Sequence, residues 1–187
     1  MSMTTLSTDD LKVISWTMES EGPRVEVHPG VSVPTRVRAS GPCGNIPILR
    51  SAKAEGIDDV DLSITAVFDP TLAQYRLASL AVEAIDGREV NGQILRGIPP
   101  YGIMRWLLPR AFHVEPGSYT EAIRRYALGF EGLTPILAPD LSDVATVYRL
   151  ASVVRDPPSK AVAQMFGFQP RTATNWIKRA RESGYAL

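Results

Sequence analysis

The stretch SKAVAQMFGFQPRTATNWIK, from Ser159 to Lys178, decides the fold. It has the spacing of two short helices joined by a glycine-containing turn. Counted from Ser159, the fourth, eighth, tenth and eighteenth residues are Val162, Phe166, Phe168 and Trp176. In such a pair these positions turn their side chains into the wedge between the helices. Ala163 and Ala173, fifth and fifteenth, are small enough to let the helix axes approach. Gly167, ninth, falls where a left-handed backbone would strain any residue with a Cβ. The joint agreement of these positions predicts a helix-turn-helix unit with its wedge centred on Trp176 and Phe166.

The second helix is expected over 170–182. Gln169 stands at its cap, and Pro170 suits the first helical position because an N–H there would be unpaired anyway. Ala173, Trp176, Ile177 and Ala180 form the apolar side, which makes Trp176 a core anchor rather than a base-stacking residue. Arg171, Thr174, Asn175 and Lys178 lie on the other side, three or four residues apart, where they can enter one groove together. In the major groove each base pair shows a distinct donor and acceptor pattern, so residues here can read sequence in double-stranded DNA. Arg171 is matched to guanine and Asn175 to adenine, with Gln169 and Thr174 as weaker base-reading candidates. Lys160, Thr172, Lys178, Arg179 and Arg181 are candidates for phosphate contacts, which position a protein without reading bases. Tyr185 reads equally well as a backbone contact or a packing residue. After Gly184 only Tyr185-Ala186-Leu187 follow, so a simple three-helix unit is expected rather than a winged one.

The run from Tyr148 to Leu187 resembles the C-terminal helix-turn-helix of small actinobacterial and actinophage proteins, most of them uncharacterised. The resemblance rests on Pro157-Pro158 before the first helix and Arg171-Thr172-Ala173 opening the second. Trp176-Ile177-Lys178-Arg179-Ala180-Arg181-Glu182 and Gly184 complete it. A weaker likeness covers Asp86-Gly87-Arg88-Glu89-Val90 and Ile94-Leu95-Arg96. The resemblance implies DNA binding and carries no shared biological role.

Upstream, the pattern is that of strands. Lys12 to Met18 is rich in β-formers and is followed by a turn signal, Glu19-Ser20-Glu21-Gly22-Pro23. Arg24 to His28 alternates, and Val31, Val33 and Val37 share a side opposite Arg36 and Arg38. A meander of three short strands is therefore expected, then an ambiguous segment from Ile46 to Gly56 with a short helix over 50–55. Val60 to Phe68 alternates strictly, and a further strand runs from Gln74 to Ile85. Asp86-Gly87 predicts a two-residue hairpin turn and a return strand from Arg88 to Ile98, with a bulge at Gly92. Tyr101 to Ala111 predicts a helix broken near Pro109. The capping-box spacing Ser118 to Glu121 predicts a helix over Ala122 to Leu128, and Ser142 to Val154 a third helix against the terminal pair. The expected architecture is α+β: a tail over 1–10, an antiparallel β-rich domain of five or six strands with one or two helices over 11–130, a linker over 131–141, and the helix-turn-helix domain over 142–187.

Of 187 residues, 44% are hydrophobic and 21% charged, ordinary for a globular chain with a real core. Net charge is formally zero, but it is unevenly spread. From Ser142 onward seven basic residues face three acidic ones, whereas the preceding 141 hold thirteen and seventeen. A basic tail on an acidic body is what one domain facing phosphates would show. The single cysteine, Cys43, permits no intrachain disulfide and reads as a buried spectator. No catalytic constellation is found. His28 and His113 lack ligand spacing, and Asp58, Asp59 and Asp61 read as a solvated loop before a strand rather than as a metal site. No cofactor, membrane span or signal peptide is expected, and a cytoplasmic, nucleoid-associated location follows. The expected function is that of a sequence-specific regulator, a repressor or phage-type control protein, acting as a homodimer because one small unit makes few contacts. The β-rich body would supply the dimer contact, bind DNA itself through Arg36 and Arg38, or dock a protein. An architectural, recombination or packaging accessory factor and a protein–protein adaptor are the alternatives.

Overall fold

The computed structural model describes residues 16–46, 60–87, 89–118, 120–128 and 134–187. The expected tail over 1–10, the start of the strand at Lys12 and the short helix over 50–55 lie outside them. Alternation shapes the first half of the chain. Strands β1 (Thr17–His28), β2 (Val31–Pro42), β3 (Val60–Asp69) and β4 (Gln74–Ala84) pair in that order, each antiparallel to its neighbour. In β3, Val60, Leu62, Ile64, Ala66 and Phe68 are buried while Asp61 and Ser63 are exposed, as a period of two requires. Val31, Val33, Val37 and Ala39 of β2 continue the same buried face.

Three strand expectations are corrected. No turn separates two strands at Glu19–Pro23: β1 runs through it, with its register shifted between Glu21 and Arg24. Gly22 absorbs the bulge with φ +78°, and Pro23 costs no ladder bond because β1 is an edge strand. The return strand over 88–98 and its bulge at Gly92 are replaced by helix α1 (Gly92–Gly97). The Asn91 side chain accepts from the N–H groups of Gln93 (2.9 Å) and Ile94 (3.0 Å), and this local cap outweighs the β-propensity of the segment. Ile85–Gly87 forms a 3₁₀ turn rather than a two-residue hairpin. A fifth strand does exist, but it is β5 (His113–Val114), a two-residue piece paired with the start of β2.

The apolar face of the sheet is covered by helices. Helix α2 (Pro100–Leu107) continues into a 3₁₀ turn, Leu108–Ala111, around Pro109. Helix α3 (Glu121–Leu128) starts one residue before the expected Ala122, and the cap is Thr120, two residues after Ser118. Thr120 Oγ1 accepts from the Ile123 N–H at 3.2 Å, while Glu121 pairs with Arg124 and Arg125 within the helix. Helix α4 (Leu141–Val153) opens on a capping box in which Asp140 and Asp143 bond reciprocally to each other's N–H. It is buried nearly all round, through Val144, Ala145, Thr146, Val147, Leu150, Ala151 and Val153. A helix with so little polar surface belongs in the middle of a core. One side meets β1, where Thr146 Oγ1 lies 3.1 Å from His28 Nε2 and Arg149 donates to the Val27 carbonyl. Its other sides receive α3, α5 (Pro158–Phe166) and α6 (Pro170–Glu182). Cys43 is fully buried beside the sheet.

Candidate nucleic-acid interface

The α5–α6 pair is set by its turn. Gly167 adopts φ 64°, ψ 26°, and its N–H and that of Phe168 both return to the Ala163 carbonyl. This left-handed ending satisfies carbonyls that would otherwise be orphaned at the helix C-terminus. Space adds a second constraint, since a Cβ at position 167 would lie 2.9 Å from Pro135 Cγ. The segment preceding α4 thus packs on the turn, and the Ile136 N–H donates to the Met165 carbonyl at 3.0 Å. The Arg125 guanidinium anchors the same segment through the Thr134 carbonyl.

The wedge is filled by Val162, Met165 and Phe166 from α5 and by Ala173, Ile177 and Ala180 from α6, all buried. Trp176 is partly buried and packs against this core from one flank, with Ala173 and Ile177 lying deeper. A helix turning ~100° per residue, with those two inward, must carry Trp176 to one flank.

The same rotation sends Arg171, Asn175 and Lys178 outward, and all three are exposed. Gln169 is exposed at the cap with extended backbone; its carbonyl accepts from the Ala173 N–H, and its amide makes no cap bond. Thr174 is exposed, but its Oγ1 donates to the Pro170 carbonyl at 3.0 Å, so its proton is committed within α6. Lys160, Thr172, Arg179 and Arg181 are exposed as well. Arg179 and Thr172 lie on the Trp176 flank, and Arg181 lies on the flank of Thr174.

Two features escaped the reading of the sequence. Glu182 stands in line with the outward residues, and its carboxylate is 3.7 Å from Lys178 Nζ, sharing that charge. Their spacing of four was the available signal. Ser159, Lys160, Ala163 and Gln164 of α5 face Gly167, Phe168, Pro170 and Thr174 across an open groove of about 540 Å³. Lys160 is near Asp156, which precedes α5. Burial raises the Asp156 carboxyl above its usual range, opposed by Arg105, whose Nε is 3.5 Å away, and by Lys160.

Arg36 and Arg38 are exposed on the outer sheet face, but both pair with Glu21, at 4.0 and 3.3 Å. Asp61 is exposed on β3, and Asp58 and Asp59 lie outside the described residues. Among the described residues no group of three His, Cys, Asp or Glu is placed to hold a metal. None of their helices is long and apolar enough to cross a membrane. No protein-family model, curated protein or solved structure matches the chain.

Proposed function

We propose that the C-terminal helices α4–α6 form a helix-turn-helix domain and that the chain is a sequence-specific double-stranded DNA-binding regulator. This reading keeps the likeness to small actinobacterial and actinophage proteins as part of the proposal. One observation carries it: α6 buries Ala173, Ile177 and Ala180 while presenting Arg171, Asn175 and, at the next turn, Lys178 on a single outward stripe. Arg171 offers a bidentate fork to guanine, and Asn175 matches adenine in the same way. Lys160 and Arg181 flank the stripe as phosphate contacts. Gln169 and Thr174 stand beside it, the latter offering its methyl group and hydroxyl lone pairs rather than its proton. Four basic residues and one acidic residue over Pro170 to Glu182 give this helix a positive field, although the whole chain is neutral.

A homodimer, held through the sheet-bearing half, would set two such helices about one DNA turn, ~34 Å, apart. Selection of bound fragments from random duplex DNA tests the reading, with the protein's mass measured in solution. The expected result is a recovered site that contains guanine and adenine and binds the Arg171→Ala/Asn175→Ala variant no better than unrelated DNA. Recovery of no preferred site, or equal loss on every sequence, would remove Arg171 and Asn175 from base reading. Affinity that is indifferent to salt between ~50 and ~200 mM would instead favour a protein partner, because phosphate contacts release counterions steeply over that range.

A further inference from the structure

We infer that Trp176 is a positioning residue, an aromatic shelf that presents Arg179 to a DNA phosphate on the flank of α6. The inference rests on the reading above only as far as duplex binding. Trp176 and Arg179 are three residues apart and so share one side of the helix. The guanidinium carbon of Arg179 lies 4.9 Å from the centroid of the Trp176 ring. The indole is itself held in place. Phe168 stacks on it with centroids 5.5 Å apart and planes within 20°, and Phe168 meets the buried Phe166 at 5.6 Å. A flanking residue is thereby tied to the core of the wedge.

Among the described residues two other arginines lie over aromatic rings, and they make the useful contrast. Arg110 over Trp106 donates to the Trp106 carbonyl, and Arg155 over Tyr101 reaches the phenol oxygen at 3.5 Å. Both hold the body together. Among the described residues the Arg179 guanidinium donates no hydrogen bond and forms no ion pair. Its N–H donors, with no bonding partner among the described residues, are available to a ligand while the ring holds the guanidinium carbon. Paired N–H donors at a fixed place match a phosphodiester oxygen pair, and holding them beforehand reduces the rotamer freedom lost on binding.

The test uses the full chain and a fluorescently labelled mixed-sequence duplex of about 30 base pairs, titrated from ~50 to ~200 mM NaCl. Arg179→Ala is expected to weaken binding roughly 3- to 10-fold and to lower the salt slope by about one. Trp176→Leu should match that loss in affinity, Trp176→Phe should stay within about 2-fold, and Trp176→Leu/Arg179→Ala should be no worse than Arg179→Ala alone. Losses that multiply in the double variant, or Trp176→Phe as weak as Trp176→Leu, would overturn the shelf. Should Trp176→Leu fail to fold, Arg179→Lys at an exposed position decides. It should keep the salt slope but lose most of the same affinity, because an ammonium cannot stack as a planar fork does. Full retention by Arg179→Lys overturns the proposal. Absence of any duplex binding defeats both the shelf and the proposed function. Binding without site preference, with the shelf intact, defeats sequence reading alone.

Discussion

Three arginines of the sheet, Arg36, Arg38 and Arg76, and those of α6 are alike in exposure and unlike in company. Arg36 and Arg38 share Glu21, and Arg76 pairs with Asp69 at 3.1 Å. On α6, Arg171, Arg179 and Arg181 have no carboxylate partner among the described residues, and Glu182 is taken by Lys178. A cation already facing an anion gains little by meeting a phosphate, since one pairing must be exchanged for another. An unpaired one gains the whole interaction and releases the counterions of the phosphate. Exposure alone therefore does not single out the cations proposed to meet phosphate; the absence of a local carboxylate on α6 is what supports that proposal.

The comparison breaks first if the two regions do not share a core. Leu150 is fully buried on α4, the helix that packs against both β1 and the terminal pair, so Leu150→Ala should cost about 2–5 kcal/mol. A single lowered transition followed by both far-ultraviolet circular dichroism and tryptophan fluorescence is expected. Two separated transitions would show the halves to be independent.

The next effect is on binding. Arg36→Ala/Arg38→Ala should leave DNA affinity within about 2-fold and cost less than about 1 kcal/mol of stability, as exposed ion pairs do. Arg171→Ala/Asn175→Ala should lose roughly 1–3 kcal/mol of discrimination per residue. Titration of both variants against the same duplex makes the contrast direct, and equal losses would erase it.

Gly167→Ala tests how firmly the outward stripe is aimed. The left-handed backbone and the approach of Pro135 should together cost about 1–3 kcal/mol, read as a lowered melting temperature. Adding Pro135→Ala removes the Cγ at 2.9 Å but keeps the Cβ at 3.0 Å, so it should restore only part of the steric loss and leave the backbone part.

The smallest expected effect lies at the seam between sheet and α4. Burial lowers the His28 pKa below its ordinary 6.5, and nearby Arg149 adds to this while Glu26 opposes it. Thr146 bonds to its Nε2. Because the folded pKa is the depressed one, the contribution of His28 is present above pH 6.5 and fades as pH falls through the lower folded value. The stability of wild type should therefore decline more steeply below pH 6.5 than that of His28→Gln. Identical slopes would show that the seam does not depend on the neutral imidazole.

Much of this structure was legible in the chain. Strict alternation exposed β3, and the positions of Val162, Gly167 and Ala173 marked the α5–α6 pair, because local backbone geometry repeats at fixed periods. Other features were not legible. Gly22-Pro23 reads as a turn unless it is known that β1 is an edge strand able to hold a bulge. Arg88 to Ile98 reads as a strand unless the Asn91 cap is weighed against it. The pairing of β5 with β2 joins residues about eighty apart, which no local pattern encodes. For the candidate site, exposure of Gln169, Arg171, Asn175 and Arg181 followed from helical rotation. That the Thr174 proton is committed within α6 and that Glu182 claims Lys178 depend on side-chain rotamers as well.

By itself, the sequence determined which residues alternate or recur with helical period, where glycine must bend the backbone, and that positive charge collects near the C-terminal end. Those properties depend on neighbours within a few residues. The tertiary structure alone decided that Glu21 on β1 neutralises Arg36 and Arg38 on β2, that β5 joins β2, and that one helix, α4, closes both the sheet and the terminal pair. Each of these depends on distances between groups far apart in the chain, and only packing brings such groups within reach.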